Sequence, residues 1–461
     1  MNDGFNRLPK ELADHFTKPF ARFLRIEAAA GAILLFFAVS AFAVSNSPWS
    51  NAFLAFWDTS IGLTFGSSGY SHSLKHWINE GLMTLFFFVV ALELKRELVL
   101  GELRNPRIAA LSFAAALGGM LVPAGVFLIL QSSGPAAHGW GTVVATDTAF
   151  LIACLAVLGS RVPHSLRLFL LSLAIFDDIG AILVVALGYG HALDWRALAL
   201  AALGLAIVFG MARLGVRAIA LYVVAGILIW LALDASGIHA TLTGVLLGLM
   251  TPTKVWISNR RLNAILDRVF TSGDVRQAGD RAERRALQLA GIATREAISP
   301  VERLESALHP WVGFAILPLF AFANAGVTLS TADLRGTVAT AIFLGFVFGK
   351  PVGVLSLSFL AVRLGMATRP PDLSWSTLGA GGLLTGIGFT MALLIAEAAF
   401  SQDVLSGAKI GILSASIVSA VVGILALAWL TRKPPQASGD MINSGGSPHV
   451  SRHPQNSHSD R

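Results

Sequence analysis

The chain contains a succession of apolar segments, most of them roughly 18–25 residues long and nearly free of charged side chains. A helix of that length crosses about 30 Å of hydrocarbon and satisfies its own backbone polar groups. The pattern therefore predicts an all-α polytopic membrane protein with about twelve transmembrane helices. The predicted spans are 26–46, 76–94, 108–131, 141–159, 165–188, 196–212, 217–233, 238–251, 311–328, 336–361, 376–398 and 405–430.

Positive charge is distributed in a pattern that sets the expected orientation. Only 13% of the residues are charged, against about 25% in soluble proteins, and the net charge is +7. Lys and Arg accumulate in short cytoplasmic loops of membrane proteins, which predicts cytoplasmic N- and C-termini. Because membrane topology explains most of the positive charge, no nucleic-acid partner is predicted. The diagnostic residues are Arg7, Lys10, Lys18, Arg22 and Arg25 before the first span and Lys95, Arg96, Arg104 and Arg107 after the second.

Composition divides the chain into a central membrane domain with polar flanks. We expect a cytoplasmic N-terminal segment over 1–25, the transmembrane domain over 26–430 and a disordered cytoplasmic tail over 431–461. A basic cytoplasmic loop is expected over 254–308. Residues 47–73 predict a periplasmic hairpin with strands at 53–57 and 61–65, or alternatively an irregular loop at the membrane surface.

Two adjacent carboxylates, Asp177 and Asp178, lie in the middle of the fifth span. An ionised side chain at bilayer depth costs at least ~2.5–3.5 kcal/mol on insertion scales and is kept mainly where it faces a protected polar cavity. The pair therefore predicts a site for protons or small cations. Lys350, deep in the tenth span, is expected to neutralise one of the carboxylates.

The fourth and eleventh spans are unusual as helices. The fourth carries Thr146 and Asp147 in mid-membrane, and the eleventh carries glycines and threonines over 379–390. Interrupted segments at matching positions in two halves of a chain point to a transporter binding site. For the eleventh span, close helix packing explains the glycines equally well.

The polar and charged side chains within the spans suggest an ion exchanger. Protons and Na⁺ or Li⁺ would compete for the same oxygen atoms of Asp177, Asp178 and Thr146, so the site could not carry both at once. Two other functions remain open at this point. A sodium-coupled symporter of related fold could use the same interrupted helices, and an intramembrane aspartyl protease would need Asp147 to face one of the other aspartates.

The polar segments carry five short motifs: Ala145-Thr146-Asp147-Thr148-Ala149-Phe150, Phe176-Asp177-Asp178-Ile179-Gly180, Gly349-Lys350-Pro351, Leu319-Phe320-Ala321-Phe322-Ala323-Asn324-Ala325-Gly326 and Gly386-Ile387-Gly388-Phe389-Thr390-Met391. Together they resemble the motifs of the NhaA-type bacterial sodium/proton antiporters. The resemblance extends from about residue 15 to 430. It implies inverted repeats in which spans four and eleven cross and are partly unwound, the latter at Thr385, Gly386 and Gly388.

The resemblance also implies roles for individual residues. Asp178 would be the main cation ligand and Asp177 the proton-linked partner of Lys350, with Thr146 and Asp147 beside them. Asp147 would offset the helix N-termini at the crossing, and Lys350 the C-termini.

Further implications concern the cycle and its control. The family implies two protons for each Na⁺ or Li⁺, an electrogenic cycle serving pH and sodium homeostasis, and a homodimer in the bacterial inner membrane, with no cofactor. A pH response is implied for five residues on the cytoplasmic side, Glu93, Arg96, Glu97, Glu305 and His309. Ser306 stands where the family has a histidine. For Glu93, Arg96 and Glu97, a charged helix face in the headgroup region is an equally good explanation.

Overall fold

A computed structural model describes residues 27–65, 68–99, 101, 106–132, 134–190, 193–216, 218–253, 261–265, 288, 290–294, 297–328 and 336–431. The predicted N-terminal segment 1–25, nearly all of the tail 431–461 and most of the loop 254–308 lie outside the described residues. The account below concerns the described part of the chain.

The apolar segments form helices, because Leu, Ala and Phe side chains can face lipid or a neighbouring helix while the backbone bonds to itself. Short π-helical turns interrupt three of the long helices, at Trp77–Leu82, Val312–Ile316 and Gly345–Gly349. The helices are α1 Glu27–Ser45, α2 Ser50–Trp57, α3 Leu74–Val99, α4 Pro106–Leu130, α5 Thr148–Leu158, α6 His164–Gly188, α7 Trp195–Arg213, α8 Ile219–Ala235, α9 Leu242–Met250, α10 Pro300–Asn324, α11 Thr337–Arg363, α12 Trp375–Leu384, α13 Phe389–Ala399 and α14 Gln402–Leu430.

Each of the twelve predicted spans contains helix, but not every helix is long enough to cross a membrane. Eight helices are long and apolar enough, and the described residues allow up to ten spans if each of two bent helix pairs counts as one. The seventh and eighth predicted spans correspond to α8, with 17 residues, and α9, with nine. The chain is therefore a multi-pass helical membrane protein, and of these two helices only α9 is shorter than its predicted span.

The segment between α1 and α3 differs from its prediction. Residues 53–57, expected as a strand, belong to helix α2, which turns by 120° from α1. The hairpin lies further along the chain, with β1 at Ser60–Phe65 pairing antiparallel with β2 at Ser68–Ser73. The aromatic residues of α2 explain the difference: Phe53 and Trp57 pack edge-to-face against Phe322 of α10, and helical spacing puts both on that face.

Both interrupted spans are broken where the sequence predicts. In the fourth, a 3₁₀ helix over Pro135–Val143 is separated from α5 by non-helical residues 145–147. In the eleventh, α12 and α13 meet at 52°. The two breaks contact each other, since the amide of Asp147 donates to the carbonyl of Ile387 at 2.6 Å.

Helices α4 and α11 pack closely against each other beside this crossing. Gly118 and Gly353 face each other so closely that a Cβ on either would collide with the other's carbonyl oxygen. Glycine at both positions lets the two backbones touch, the usual device of helix packing in lipid. Gly125, on the same helix α4, has open space around the position a Cβ would take.

We therefore expect Gly353→Ala to destabilise the protein and Gly125→Ala not to. Overpacking against a backbone atom costs about 1–3 kcal/mol, whereas alanine is the better helix former where there is room. Thermal unfolding of the purified variants in detergent measures the difference. Equal melting temperatures would show that the α4–α11 contact is not this tight.

Candidate functional site

A buried ion pair lies beside the helix crossing. Nζ of Lys350, which directly follows the π-helical turn in α11, is 2.5 Å from Oδ2 of Asp177 on α6. The lysine side chain is 1% exposed and the aspartate fully buried. Taking two charges out of water costs several kcal/mol for each ion, which only close contact and further hydrogen bonds offset. The sequence-based pairing of Lys350 with one member of the Asp177/Asp178 pair is thus present in the structure.

Thr146 connects this pair to the broken eleventh span. Its hydroxyl accepts a hydrogen bond from Nζ of Lys350 at 2.6 Å and donates to the carbonyl of Thr385 at 2.9 Å. Thr385 is the C-cap residue directly after α12, so this carbonyl belongs to the negative end of a half-helix. Lys350 was expected to offset the helix C-termini. In the described contacts it reaches that end of α12 through the Thr146 hydroxyl.

Asp147 caps two half-helices at once. Its Oδ1 accepts from the amide of Phe150 in the first turn of α5, at 3.0 Å. Its Oδ2 accepts from the amide of Thr390 at 2.9 Å and from the Thr390 hydroxyl at 2.6 Å, in the first turn of α13. One carboxylate therefore meets the positive ends of both α5 and α13, where amides lack intrahelical partners. This is the arrangement that the resemblance implied for Asp147.

Asp178 makes different contacts from its neighbour, as expected for successive helix residues pointing about 100° apart. Its Oδ2 accepts from the Thr148 hydroxyl at 2.9 Å. The Oδ1 atoms of both Asp177 and Asp178 are buried and have no hydrogen-bond partner among the described residues. In the described contacts, neither carboxylate is bonded to Asp147, whose oxygen atoms accept from Phe150 and Thr390 instead.

The aspartate pair is closed off in this conformation, with Asp177 0% and Asp178 1% exposed. A cavity of about 330 Å³ opens at the hairpin end of the bundle and is lined by Val185 of α6 and Leu394 of α13, among others. Val185 lies about two turns, roughly 10 Å, beyond Asp178 on the same helix. The cavity thus approaches the crossing from the hairpin end but does not reach the carboxylates.

The residues with a predicted pH response lie together at the opposite end. Nη1 of Arg96 on α3 is 2.6 Å from Oε1 of Glu305 on α10, and Nη2 is 3.0 Å from Oε1 of Glu97. Glu93 lies one turn before Arg96 and Glu97, and His309 one turn after Glu305. Arg96 thus joins α3 to α10 through Glu305, whereas Glu97 lies beside Arg96 on α3 itself. The charged face that the sequence left as an alternative therefore contacts α10 through Arg96.

Several polar contacts were not found by sequence reasoning. Glu397, which had no assigned role, lies between Lys75 and Lys409, with both ammonium groups 2.6 Å from its Oε1. Glu80 holds His239, whose Nδ1 is 2.9 Å from Oε1. The only signal in the sequence was the presence of charged residues near span ends, which does not identify partners on other helices.

Comparison with known proteins gives consistent matches over almost the whole chain. The family model described as Na⁺/H⁺ antiporter 1 matches residues 21–427. The Na⁺/H⁺ antiporter NhaA of Rhizobium meliloti (strain 1021) is 62% identical over 433 residues, covering 94% of this chain and 99% of that protein. NhaA 2 of Acidiphilium cryptum (strain JF-5) is 57% identical and NhaA 2 of Vibrio vulnificus (strain CMCP6) 52% identical, each covering 94% of this chain and 97% of the relative.

We expect Asp147→Ala to lower stability more than loss of an ordinary helix cap. The substitution leaves the amides of both Phe150 and Thr390 without their acceptor, and each cap contributes up to about 2 kcal/mol. Asp194→Ala, which removes the single exposed cap at Arg196 of α7, is the matched control. Thermal unfolding in detergent compares the two. A loss no larger than that of Asp194→Ala would contradict the double-capping role.

Proposed function

Since the chain belongs to the Na⁺/H⁺ antiporter family, whose members are transporters rather than enzymes, we propose that it exchanges cytoplasmic Na⁺, or Li⁺, for external H⁺. In this proposal the protein resides in the bacterial inner membrane, with both termini in the cytoplasm, and serves pH and sodium homeostasis. The family assignment favours exchange over the sodium-coupled symport that the sequence left open.

One observation carries the proposed site: the Oδ1 atoms of Asp177 and Asp178 are buried and have no hydrogen-bond partner among the described residues. A buried acceptor without a partner costs about 1–3 kcal/mol, and more when charged. A proton or a small cation relieves that cost. Because the two ions would use the same oxygen atoms, binding of one displaces the other, which is the condition for exchange without leak.

We assign Asp178 as the main cation ligand. Its only described hydrogen bond is to the Thr148 hydroxyl, which can reorient, whereas Asp177 is held by Lys350. Thr146 and the carbonyl groups at residues 385–388 lie at the same crossing and are further oxygen donors for the cation. Asp147 offsets the positive N-terminal ends of α5 and α13. The negative charges of Asp177 and Asp178 are then left for the transported ions.

The Lys350–Asp177 pair supplies the second proton-linked step. Protonation of Asp177 removes the charge that holds Lys350, so the ion pair and the Thr146 bridge to α12 are released together. With one proton on Asp178 and another at this pair, two protons enter for each sodium ion that leaves. One net positive charge then moves inward in each cycle, and the membrane potential drives the exchange.

Access alternates between two sides in this scheme, and the conformation with closed carboxylates is a state between them. The breaks at residues 145–147 and 385–388 are the points at which half-helices can move relative to each other.

We propose that Glu93, Arg96, Glu97, Glu305 and His309 regulate cytoplasmic opening with pH, since Arg96 joins α3 to α10 there. The hairpin β1–β2 is the proposed contact of a homodimer.

We expect inside-out vesicles with a preset proton gradient to release protons when Na⁺ or Li⁺ is added, and Asp178→Asn to abolish this release. The asparagine side chain carries no negative charge to bind the cation, and it does not take up or release a proton. Asp403→Asn, at an exposed position in the first turn of α14, is the control that retains activity. Unchanged exchange by Asp178→Asn, or absence of sodium-dependent proton movement at every pH tested, would disprove the assignment.

We expect the exchange to respond to voltage. If one charge moves per cycle, a potential of about 60 mV contributes about 1.4 kcal/mol, which shifts the sodium ratio at equilibrium about tenfold. Proteoliposomes clamped with K⁺ and valinomycin provide this potential, and ²²Na⁺ distribution measures the result. Electroneutral exchange would leave the ratio unchanged.

A further inference from the structure

A cluster of three potential metal ligands lies at the hairpin end, apart from the aspartate pair. Nε2 of His72 on β2 is 3.5 Å from Oδ2 of Asp234 on α8, and Nε2 of His76 on α3 is 3.3 Å from Oδ1. One ligand atom from each residue lies within 4.8 Å of the other two. Two imidazole nitrogens and one carboxylate therefore converge on a small volume.

The contacts within this cluster are poor hydrogen bonds. The buried Nε2 of His76 has no hydrogen-bond partner among the described residues, and 3.5 Å from His72 exceeds the usual 2.7–3.2 Å. Distances of this size also occur between the ligand atoms of one metal ion, and here they end on the two different oxygen atoms of Asp234. In a tetrahedron with metal–nitrogen and metal–oxygen bonds of about 2.0–2.1 Å, ligand atoms lie about 3.3–3.4 Å apart.

The surrounding structure orients the three ligands. The imidazole rings of His72 and His76 stack with centroids 4.1 Å apart and planes 17° from parallel, so both nitrogens point toward Asp234. The Ser73 hydroxyl accepts from the amide of His76 and fixes the turn between the two histidines. The Tyr70 hydroxyl donates to Oδ2 of Asp234 at 2.6 Å.

A polar group that hydrogen-bonds to a metal ligand helps to orient it, and the Tyr70 hydroxyl makes such a bond to Asp234. A phenol is protonated at neutral pH, so this hydroxyl remains a donor. Neighbouring charges are engaged elsewhere: Lys75 with Glu397, and His239 with Glu80. Asp234 is therefore available to a cation held by the two histidines.

We propose that His72, His76 and Asp234 form a binding site for a divalent transition metal of the Zn²⁺ class. Imidazole nitrogen suits zinc, copper and nickel, whereas Na⁺ and Mg²⁺ prefer oxygen, so the metal expected here differs from the ions proposed for transport. Three protein ligands leave a fourth position for water or another ligand. The histidine side chains are 33% and 29% exposed, which gives a metal ion access.

Metal binding would join the hairpin to α8 at the mouth of the cavity. His76 and Asp234 line the 330 Å³ cavity directly, and His72 lies on the strand that leads into α3. A bound ion would thus link β2, α3 and α8. This inference concerns the resting protein and does not depend on whether the chain exchanges Na⁺ for H⁺.

Titration of the purified, metal-free full chain with ZnCl₂ by calorimetry tests the proposal, using protein without a polyhistidine tag. We expect a site that binds one Zn²⁺ per chain and is lost in the His72→Ala/His76→Ala double variant, with affinity at least tenfold weaker in Asp234→Asn. Tyr70→Phe should weaken binding about tenfold. His164→Ala, at the exposed start of α6 at the other end of the bundle, is the matched control and should bind as the parent does.

The histidines of the C-terminal tail, His449, His453 and His458, are present in every variant, so the difference between parent and double variant isolates the proposed site. Co²⁺ gives a second readout that does not depend on a variant folding correctly. A tetrahedral site produces intense visible absorption that one equivalent of Zn²⁺ removes. Zinc binding that is unchanged in the double variant, or a Co²⁺ spectrum of six-coordinate type, would overturn the proposal.

Discussion

The structure is organised around the cost of holding charge where water is excluded. Lys350 and Asp177 offset each other at 2.5 Å, and Thr146 takes a further hydrogen bond from the lysine. A buried pair of this kind is weak evidence for stability, since its desolvation can exceed its attraction. The ion pair instead fixes α11 against α6. Within the described part of the chain, Asp177 and Asp178 each keep one oxygen atom without a hydrogen-bond partner.

The broken helices follow from the same constraint. Residues 145–147 and the turn between α12 and α13 expose backbone groups that lipid could not satisfy, so they are tolerated only inside the bundle. Asp147 satisfies amides from both sides, and the two breaks also bond to each other through Ile387. The crossing is thus closed to lipid and compensated in charge. Asp177 and Asp178 each keep one described side-chain hydrogen bond, and the one to Asp178 comes from a neutral hydroxyl.

Sequence patterns predicted the segments well where one physical rule dominates. Length and hydropathy located the helices, and polar residues in mid-span located both breaks. The strand at 53–57 was wrong because Phe53 and Trp57 pack against α10, a tertiary contact that the alternating pattern does not reveal. Glu397 remained unexplained for a similar reason, since its partners Lys75 and Lys409 lie on other helices, α3 and α14, and Lys75 is 322 residues away along the chain.

The sequence by itself determined that this chain spans a membrane many times and buries an aspartate pair with a lysine, because lipid excludes charge unless it is needed. The motifs also predicted the antiporter family, which the family and relative matches confirm. The resemblance implied that Lys350 pairs with Asp177 and that Asp147 offsets helix N-termini. Only the tertiary structure gave the atoms that meet in these contacts and showed that His72 and His76 meet Asp234. Those results depend on distances between helices, which residue order does not specify.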